Sequence, residues 1–179
     1  RRLLLIAYFF PPVETIASVR TGAIAKYLAR IGWQVMVVTP HPRFFRRASA
    51  LSEDWGLGVP PGVIVRWTDH RQPWLNSTHL ICADRGPVYL FQGAARWASR
   101  FVGLSPCRGW CRAVREALAD LRPGDIDVVL ASGGPWDAFI LARDIARSLS
   151  CPFVVSYRDL WSQNPYVASR RQYRDWMLE

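Results

Sequence analysis

The stretch Asp127-Val128-Val129-Leu130-Ala131-Ser132-Gly133-Gly134-Pro135-Trp136 decides the fold. Its apolar run reads as a strand over Ile126–Ala131. Ser132-Gly133-Gly134-Pro135 is a tight turn, since glycine and proline together punctuate regular structure. A helix is predicted over Trp136–Leu149 and a further strand over Pro152–Tyr157. Strand, helix and strand in immediate succession make a parallel βαβ unit.

Working back to the N-terminus, the same alternation recurs. Leu3–Tyr8 is a continuous apolar run, as expected for a strand buried on both faces. Pro11-Pro12 bars helix and central strand alike, so a loop follows. Ser18 reads as the N-cap of a helix from Val19 to about Ile31, with Ile24, Tyr27, Leu28 and Ile31 recurring at helical spacing as its core face. Gly32 stops it, Gln34–Thr39 is the next strand, and Pro40 ends that strand. Residues 41–62 read as irregular, Val63–Thr68 as a third strand, and Arg71–Arg85 as another loop. Two helices, Pro87–Val102 and Cys107–Leu121, carry Arg and Trp on their polar sides. The predicted fold class is α/β, a Rossmann-like parallel sheet flanked by helices.

The chain has 179 residues, half of them hydrophobic and 21% charged, which suits one globular domain. It opens on Arg1-Arg2 without a Met and stops at Glu179 in what reads as mid-helix, so the natural protein is expected to continue. No apolar run approaches the ~20 residues that span a bilayer, and the opening strand is too short for a signal-peptide core, so a cytoplasmic location is expected. The Asn76-Ser77-Thr78 sequon is discounted for the same reason. Cys82, Cys107, Cys111 and Cys151 then read as reduced thiols. Cys107 and Cys111 lie one helical turn apart, but no second pair completes a tetrahedral set, so no metal is expected.

The net charge of +9 is almost all arginine, since Lys26 is the only lysine. A base-composition bias produces that without function, and a solvated face is the plain reading of any one cluster. Arginine forks also suit phosphate, and Arg43-Phe44-Phe45-Arg46-Arg47 pairs charge with aromatics. Phe44, Phe45, Trp97 and Trp110 among Arg43, Arg46, Arg47, Arg96, Arg100, Arg108 and Arg112 suggest an anionic membrane surface as a partner. No nucleic-acid-binding motif is present, and no nucleic acid is expected as a partner.

In an open parallel sheet, ligands bind at the carboxyl ends of the strands. Three loops qualify: Phe9–Ala17, Ser132–Asp137 and Arg158–Asn164. The first contains no glycine, which disfavours a dinucleotide cofactor, and the chain has neither a Walker loop nor a G-x-S-x-G elbow. What remains is a helix N-terminus near Ser18 whose amides suit an anion, with Arg20 facing the same way. The Gly133-Gly134 turn opens a second helix. Asp137, just inside it, reads either as a capping residue or as a ligand of substrate. Asp159, after a buried strand, reads either as a general base or as the ion-pair partner of a neighbouring Arg.

Three stretches resemble the N-terminal domain of the family 4 glycosyltransferases, particularly bacterial members that build surface polysaccharides. The first is Tyr8-Phe9-Phe10-Pro11-Pro12 with Arg20, Ala25-Lys26-Tyr27-Leu28 and Gly32-Trp33-Gln34-Val35. The second is Asp127–Ser132 leading to Pro135, and the third is Pro152-Phe153-Val154-Val155 running into Arg158-Asp159-Leu160-Trp161, with Leu178-Glu179 placed like the start of a linker-side helix. The resemblance implies the N-terminal half of a GT-B fold, with the C-terminal nucleotide-sugar domain absent from this chain. It implies no cofactor and no metal, a nucleotide sugar as donor, and a lipid-linked or polysaccharide acceptor. The backbone of Thr15, Ile16 and Ala17, with Arg20, would approach the donor diphosphate. Arg158, Gly133, Gly134 and Asp137 would bind acceptor, and Asp159 would act as catalytic base. Two departures matter. Many relatives carry Gly-Gly where this chain has Glu14-Thr15-Ile16-Ala17, and some place a His where it has Arg158-Asp159.

The expected activity is sugar transfer to a hydroxyl in cell-surface polysaccharide synthesis, on the inner face of the membrane, with the isolated chain inactive. An epimerase or phosphorylase on the same scaffold, or a non-enzymatic basic binding module, are the alternatives.

Overall fold

The computed structural model describes residues 1–45, 58–70 and 107–157. Within them, five strands form one all-parallel sheet: β1 (Arg2–Ile6), β2 (Gln34–Pro40), β3 (Val63–Thr68), β4 (Val128–Ser132) and β5 (Phe153–Ser156). Their order is β3-β2-β1-β4-β5, so β1 sits at the centre. Helix α1 (Ile16–Arg30) covers one face; α2 (Arg108–Ala117) and α3 (Asp137–Ser148) cover the other. The fold is the expected Rossmann-like α/β class.

Strand β1 is apolar without alternation because both of its faces are used. Leu3, Leu5 and Ala7 pack with Ala25, Val35 and Val37 on the α1 side, while Leu4, Ile6 and Tyr8 join Trp110, Val114 and Leu141 on the other. A strand's side chains alternate between faces, so a sheet sandwiched by helices needs apolar residues at every position. Each such side chain contributes about 1.5–3 kcal/mol when fully buried. The strand edges differ from expectation by one or two residues. β1 ends at Ile6, yet the Ala7 amide still donates to the Val38 carbonyl at 3.2 Å and Tyr8 stays buried. Helix α2 is shorter than expected, ending at Ala117 before a turn to Leu121. The loop expected over 71–85 and the helix over 87–102 lie outside the described residues.

Helix α1 corrects the sequence reading twice. Its N-cap is Thr15, not Ser18: the Thr15 Oγ1 accepts from the Ser18 amide at 3.1 Å, and Ser18 is buried inside the first turn. Its packed face is Ala17, Ser18, Thr21, Gly22 and Ala25, not the expected Ile24, Tyr27, Leu28 and Ile31. Leu28 is partly buried against the core, but Tyr27 and Ile31 are 58% and 71% exposed. The reason is close approach. A Cβ on Gly22 would sit 2.7 Å from Pro11 Cγ, so the helix lies too near the first loop for large side chains to intervene. The Thr21 hydroxyl donates to the Phe9 carbonyl at 2.7 Å and ties loop to helix.

Several arginines serve as ties between elements. Arg2 pairs with Asp127 at 3.0 Å, linking the amino ends of β1 and β4. Arg66 forks onto Asp120 at 2.5 and 2.8 Å and also donates to the Ala117 carbonyl at 2.7 Å, joining β3 to the end of α2. Arg115 reaches Asp144 at 3.1 Å between α2 and α3, and Arg43 pairs with Asp69. The carboxylate partners are open to solvent, which screens such pairs, so their effect is on geometry more than stability.

Candidate functional site at the switch point of the sheet

From β1 the chain steps outward to β2 and β3; from β4 it steps the other way to β5. The loops that leave β1 and β4 therefore diverge and open a crevice at the carboxyl ends of the strands, where open α/β sheets hold ligands. Each of these two loops contains a cis prolyl bond, Pro11–Pro12 in one and Gly134–Pro135 in the other.

On the β1 side stands the first turn of α1. The amides of Ile16 and Ala17 have no acceptor within the helix, as helix geometry requires of the first turn. Ile16 is largely exposed and Ala17 buried. Arg20, one turn on, crosses the mouth: its Nη2 donates to Ser156 Oγ at 2.7 Å and reaches the Tyr157 carbonyl at 3.4 Å. A guanidinium thus connects α1 to the end of β5 above the crevice. The sequence placed Arg20 beside the first loop; its partner Ser156 was not foreseen.

On the β4 side, Gly133 is occupied by packing. Its amide donates to the Ser156 carbonyl at 3.0 Å, and a Cβ there would meet Phe139 Cζ at 2.9 Å and Trp136 Cζ3 at 3.0 Å. Gly134 holds φ +80°, a conformation glycine adopts without steric cost. Trp136, Phe139 and Tyr157 form an aromatic wall, with centroids 5.7 Å (Trp136–Phe139), 4.9 Å (Phe139–Tyr157) and 6.4 Å (Trp136–Tyr157) apart. Sequence reasoning assigned no role to Trp136, which lies inside the Ser132–Asp137 loop it had singled out, or to Tyr157, which directly precedes the Arg158–Asn164 loop.

Asp137 is the first residue of α3, and its charge is felt on the α2 side of the sheet. Burial, reinforced by the Asp137 carboxylate, raises the Cys107 thiol far above its ordinary pKa and pushes Cys111 up to about 12. Neither cysteine offers a thiolate at neutral pH, the form that acts as nucleophile or ligand. Among the described residues no three His, Cys, Asp or Glu side chains gather closely enough to hold a metal ion. Arg158 and Asp159 lie outside the described residues.

Behind the crevice, Tyr8 Oη and His70 Nε2 are 2.6 Å apart and both residues are buried. Phe9, Phe45 and Trp110 surround the Tyr8 ring at 5.0, 5.7 and 5.0 Å. This cluster fixes the root of the first loop.

No family model matches the chain, and no curated protein matches it. One solved structure similar to it is the C-terminal domain of a hydrogenase from Pyrococcus furiosus, at 17% identity and a TM-score of 0.44, with 87% of this chain and 89% of that one covered. At that similarity nothing follows about activity.

The aromatics expected at a membrane surface are placed otherwise. Phe45 and Trp110 are core residues and Phe44 packs against the core, because the apolar face of α2 and the turn after β2 close over the sheet. Arg43 pairs with Asp69, and Arg112 with Glu116 at 3.1 Å. Trp97, Arg46, Arg47, Arg96 and Arg100 lie outside the described residues. No described helix is long and apolar enough to cross a membrane. A second concavity, about 400 Å³, opens between α2 and α3 at the opposite end of the sheet, lined by Arg115, Leu118, Arg122, Asp144, Ile145 and Ser148 among others.

Proposed function

We propose that this chain is the acceptor-side domain of a glycosyltransferase, which moves a sugar from a nucleotide-sugar donor to a hydroxyl of a lipid-linked or polysaccharide acceptor at the inner face of a membrane. The observation that carries the reading is Arg20, held 2.7 Å from Ser156 across a switch-point crevice beside the open first turn of α1. A leaving diphosphate needs charge stabilisation, and a guanidinium with helix amides supplies it. The glycine-free first loop favours this role over a dinucleotide cofactor, whose pyrophosphate lies against glycine backbone. In this reading Ile16, Ala17 and Arg20 face the diphosphate. Thr15 fixes the helix start, and the Gly134 turn, Asp137 and Arg158 line the acceptor side. Asp159 takes the proton of the attacking hydroxyl.

The test is turnover by the full-length gene product. With an acceptor present it is expected to release nucleoside diphosphate from a nucleotide sugar, and Asp159→Ala to lower that rate at least about 10²-fold, as loss of a general base does. The chain 1–179 alone is expected to leave the donor intact. A full-length product that leaves every nucleotide sugar untouched overturns the proposal.

A further inference from the structure

The aromatic wall beside the crevice has a buried back and an open front. Phe139 is buried, whereas Tyr157 is 40% exposed and Trp136 partly so. The back is fixed by packing. The Phe139 ring meets Tyr157 edge-on and leans on Trp136, and the missing side chain of Gly133 leaves the room in which Phe139 and Trp136 lie. Side chains alternate along a strand, so Ser156 faces α1, where it accepts from Arg20, and Tyr157 turns to the α3 side. The Tyr157 carbonyl, 3.4 Å from Arg20 Nη2, brings the guanidinium to the foot of the wall. Aromatic faces and hydrogen-bonding groups thus stand side by side at the carboxyl end of the sheet.

We propose that Trp136 and Tyr157 form a stacking platform for a pyranose ring whose hydroxyls are equatorial. Such a sugar has two kinds of surface, a face of axial C–H groups and a rim of hydroxyls. The C–H face meets the electron-rich face of an aromatic ring, and the rim reaches polar groups beside it. An axial hydroxyl on the stacked face would be pressed against the ring without a partner, which costs more than the contact contributes. Size and angle choose the ligand. Aromatic side chains present about 150–250 Å², so the open two-fifths of Tyr157 is about 60–100 Å², far below the ~800 Å² per side of a protein partner. A flat nucleobase is held best between two parallel rings about 7 Å apart, which is two contacts of about 3.5 Å. Trp136 and Tyr157 are 6.4 Å apart and tilted by 38°, so they leave no such slot. The place of the platform in a reaction rests on the functional reading above: it seats the terminal sugar of the acceptor next to the diphosphate at Arg20, and it narrows the acceptor to one that ends in a sugar.

The experiment titrates cellotetraose, a β-linked glucose tetramer whose ring hydroxyls are all equatorial, into the isotope-labelled chain and follows the Trp136 indole N–H and the Tyr157 ring by NMR. Both are expected to shift together. Tyr157→Leu is expected to weaken binding about 3–10-fold, the loss of one aromatic contact, with the rest of the spectrum unchanged, and Trp136→Leu by a similar factor. Tyr157→Phe keeps the face and loses only the hydroxyl, and is expected to bind within about 2-fold of wild type. Tyr27→Leu, which removes an exposed ring two turns beyond Arg20 on α1, is expected to change nothing. No shift at either ring, Tyr157→Leu binding like wild type, or Tyr157→Phe as weak as Tyr157→Leu would each overturn the proposal. So would uridine monophosphate moving the two rings as strongly as the tetrasaccharide, the result for a base-stacking site. Because the titration contains no donor and measures no turnover, its failure leaves the transferase reading standing. Failed turnover with intact sugar binding leaves the platform standing.

Discussion

Trp110→Ala is expected to lower the free energy of unfolding by about 3–5 kcal/mol, the range for removing a large aromatic from a packed core. Trp110 is fully buried, and its ring meets Tyr8 edge-on with centroids 5.0 Å apart. Tyr8 in turn contacts Phe9, Phe45 and His70, so the cavity would open beneath the root of the first loop. Edge-to-face pairs add about 0.5–1.5 kcal/mol beyond area burial. One detail separates packing from polarity: among the described residues the buried indole Nε1 has no hydrogen-bond partner. An unpaired buried donor costs about 1–3 kcal/mol, so Trp110→Phe relieves that cost while losing some volume. The Phe variant is therefore expected to lie within about 1.5 kcal/mol of wild type, as a tolerated core replacement does. Urea unfolding of the three proteins measures both differences. An Ala variant within about 1 kcal/mol of wild type would mean that the α2 face of the sheet is not packed around this ring, against the usual cost of such a cavity.

The second large effect concerns function. Under the transferase proposal, Arg20→Ala is expected to lower kcat/KM of the gene product about 10²–10³-fold, the usual cost of removing one donor from a preorganised site for developing negative charge. Folding stability is expected to change by less than about 1 kcal/mol, since the side chain is exposed and its tie to Ser156 is a surface contact. Arg20→Lys keeps the charge but not the planar fork, and an intermediate rate is expected. Ser156→Ala separates the two roles of the arginine. It removes the hydroxyl that accepts from Nη2 at 2.7 Å yet leaves the guanidinium in place. If Ser156→Ala and Arg20→Ala lose activity equally, the arginine acts by holding α1 to β5 and not through the substrate.

Most of the fold was legible because its signals are local and strong. Leu3–Tyr8 could only be doubly buried, and Gly133–Pro135 leaves the sheet as the expected turn, although Ser132 still belongs to β4. Val63–Thr68 matched residue for residue. Helix α1 was misread for a physical reason. Spacing at helical period tells which residues share a face, but not which face meets the sheet, and here the sheet side is set by the close approach of Gly22 to Pro11. The same fact hid the cap, since serine is the better cap residue by type and only the packing of Ser18 passes the role to Thr15. The site was half legible. Topology pointed to the loops after β1 and β4, and Arg20 lies where they meet. Ser156, Tyr157 and Trp136 were invisible because they join the crevice through contacts more than a hundred residues apart along the chain or across a turn. Gly133 read as a ligand-facing amide, whereas its neighbours on β5 and α3 claim both its amide and its missing side chain.

The most direct measurement titrates pyrophosphate into isotope-labelled chain 1–179 and follows its backbone amides by NMR. The switch-point reading predicts that the amides of Ile16 and Ala17 and the guanidinium of Arg20 shift together, and that Arg20→Ala abolishes the response. Shifts centred instead on Arg115 and Arg122, in the cleft between α2 and α3, would place the anion at the other end of the sheet and contradict the reading of the crevice as the site.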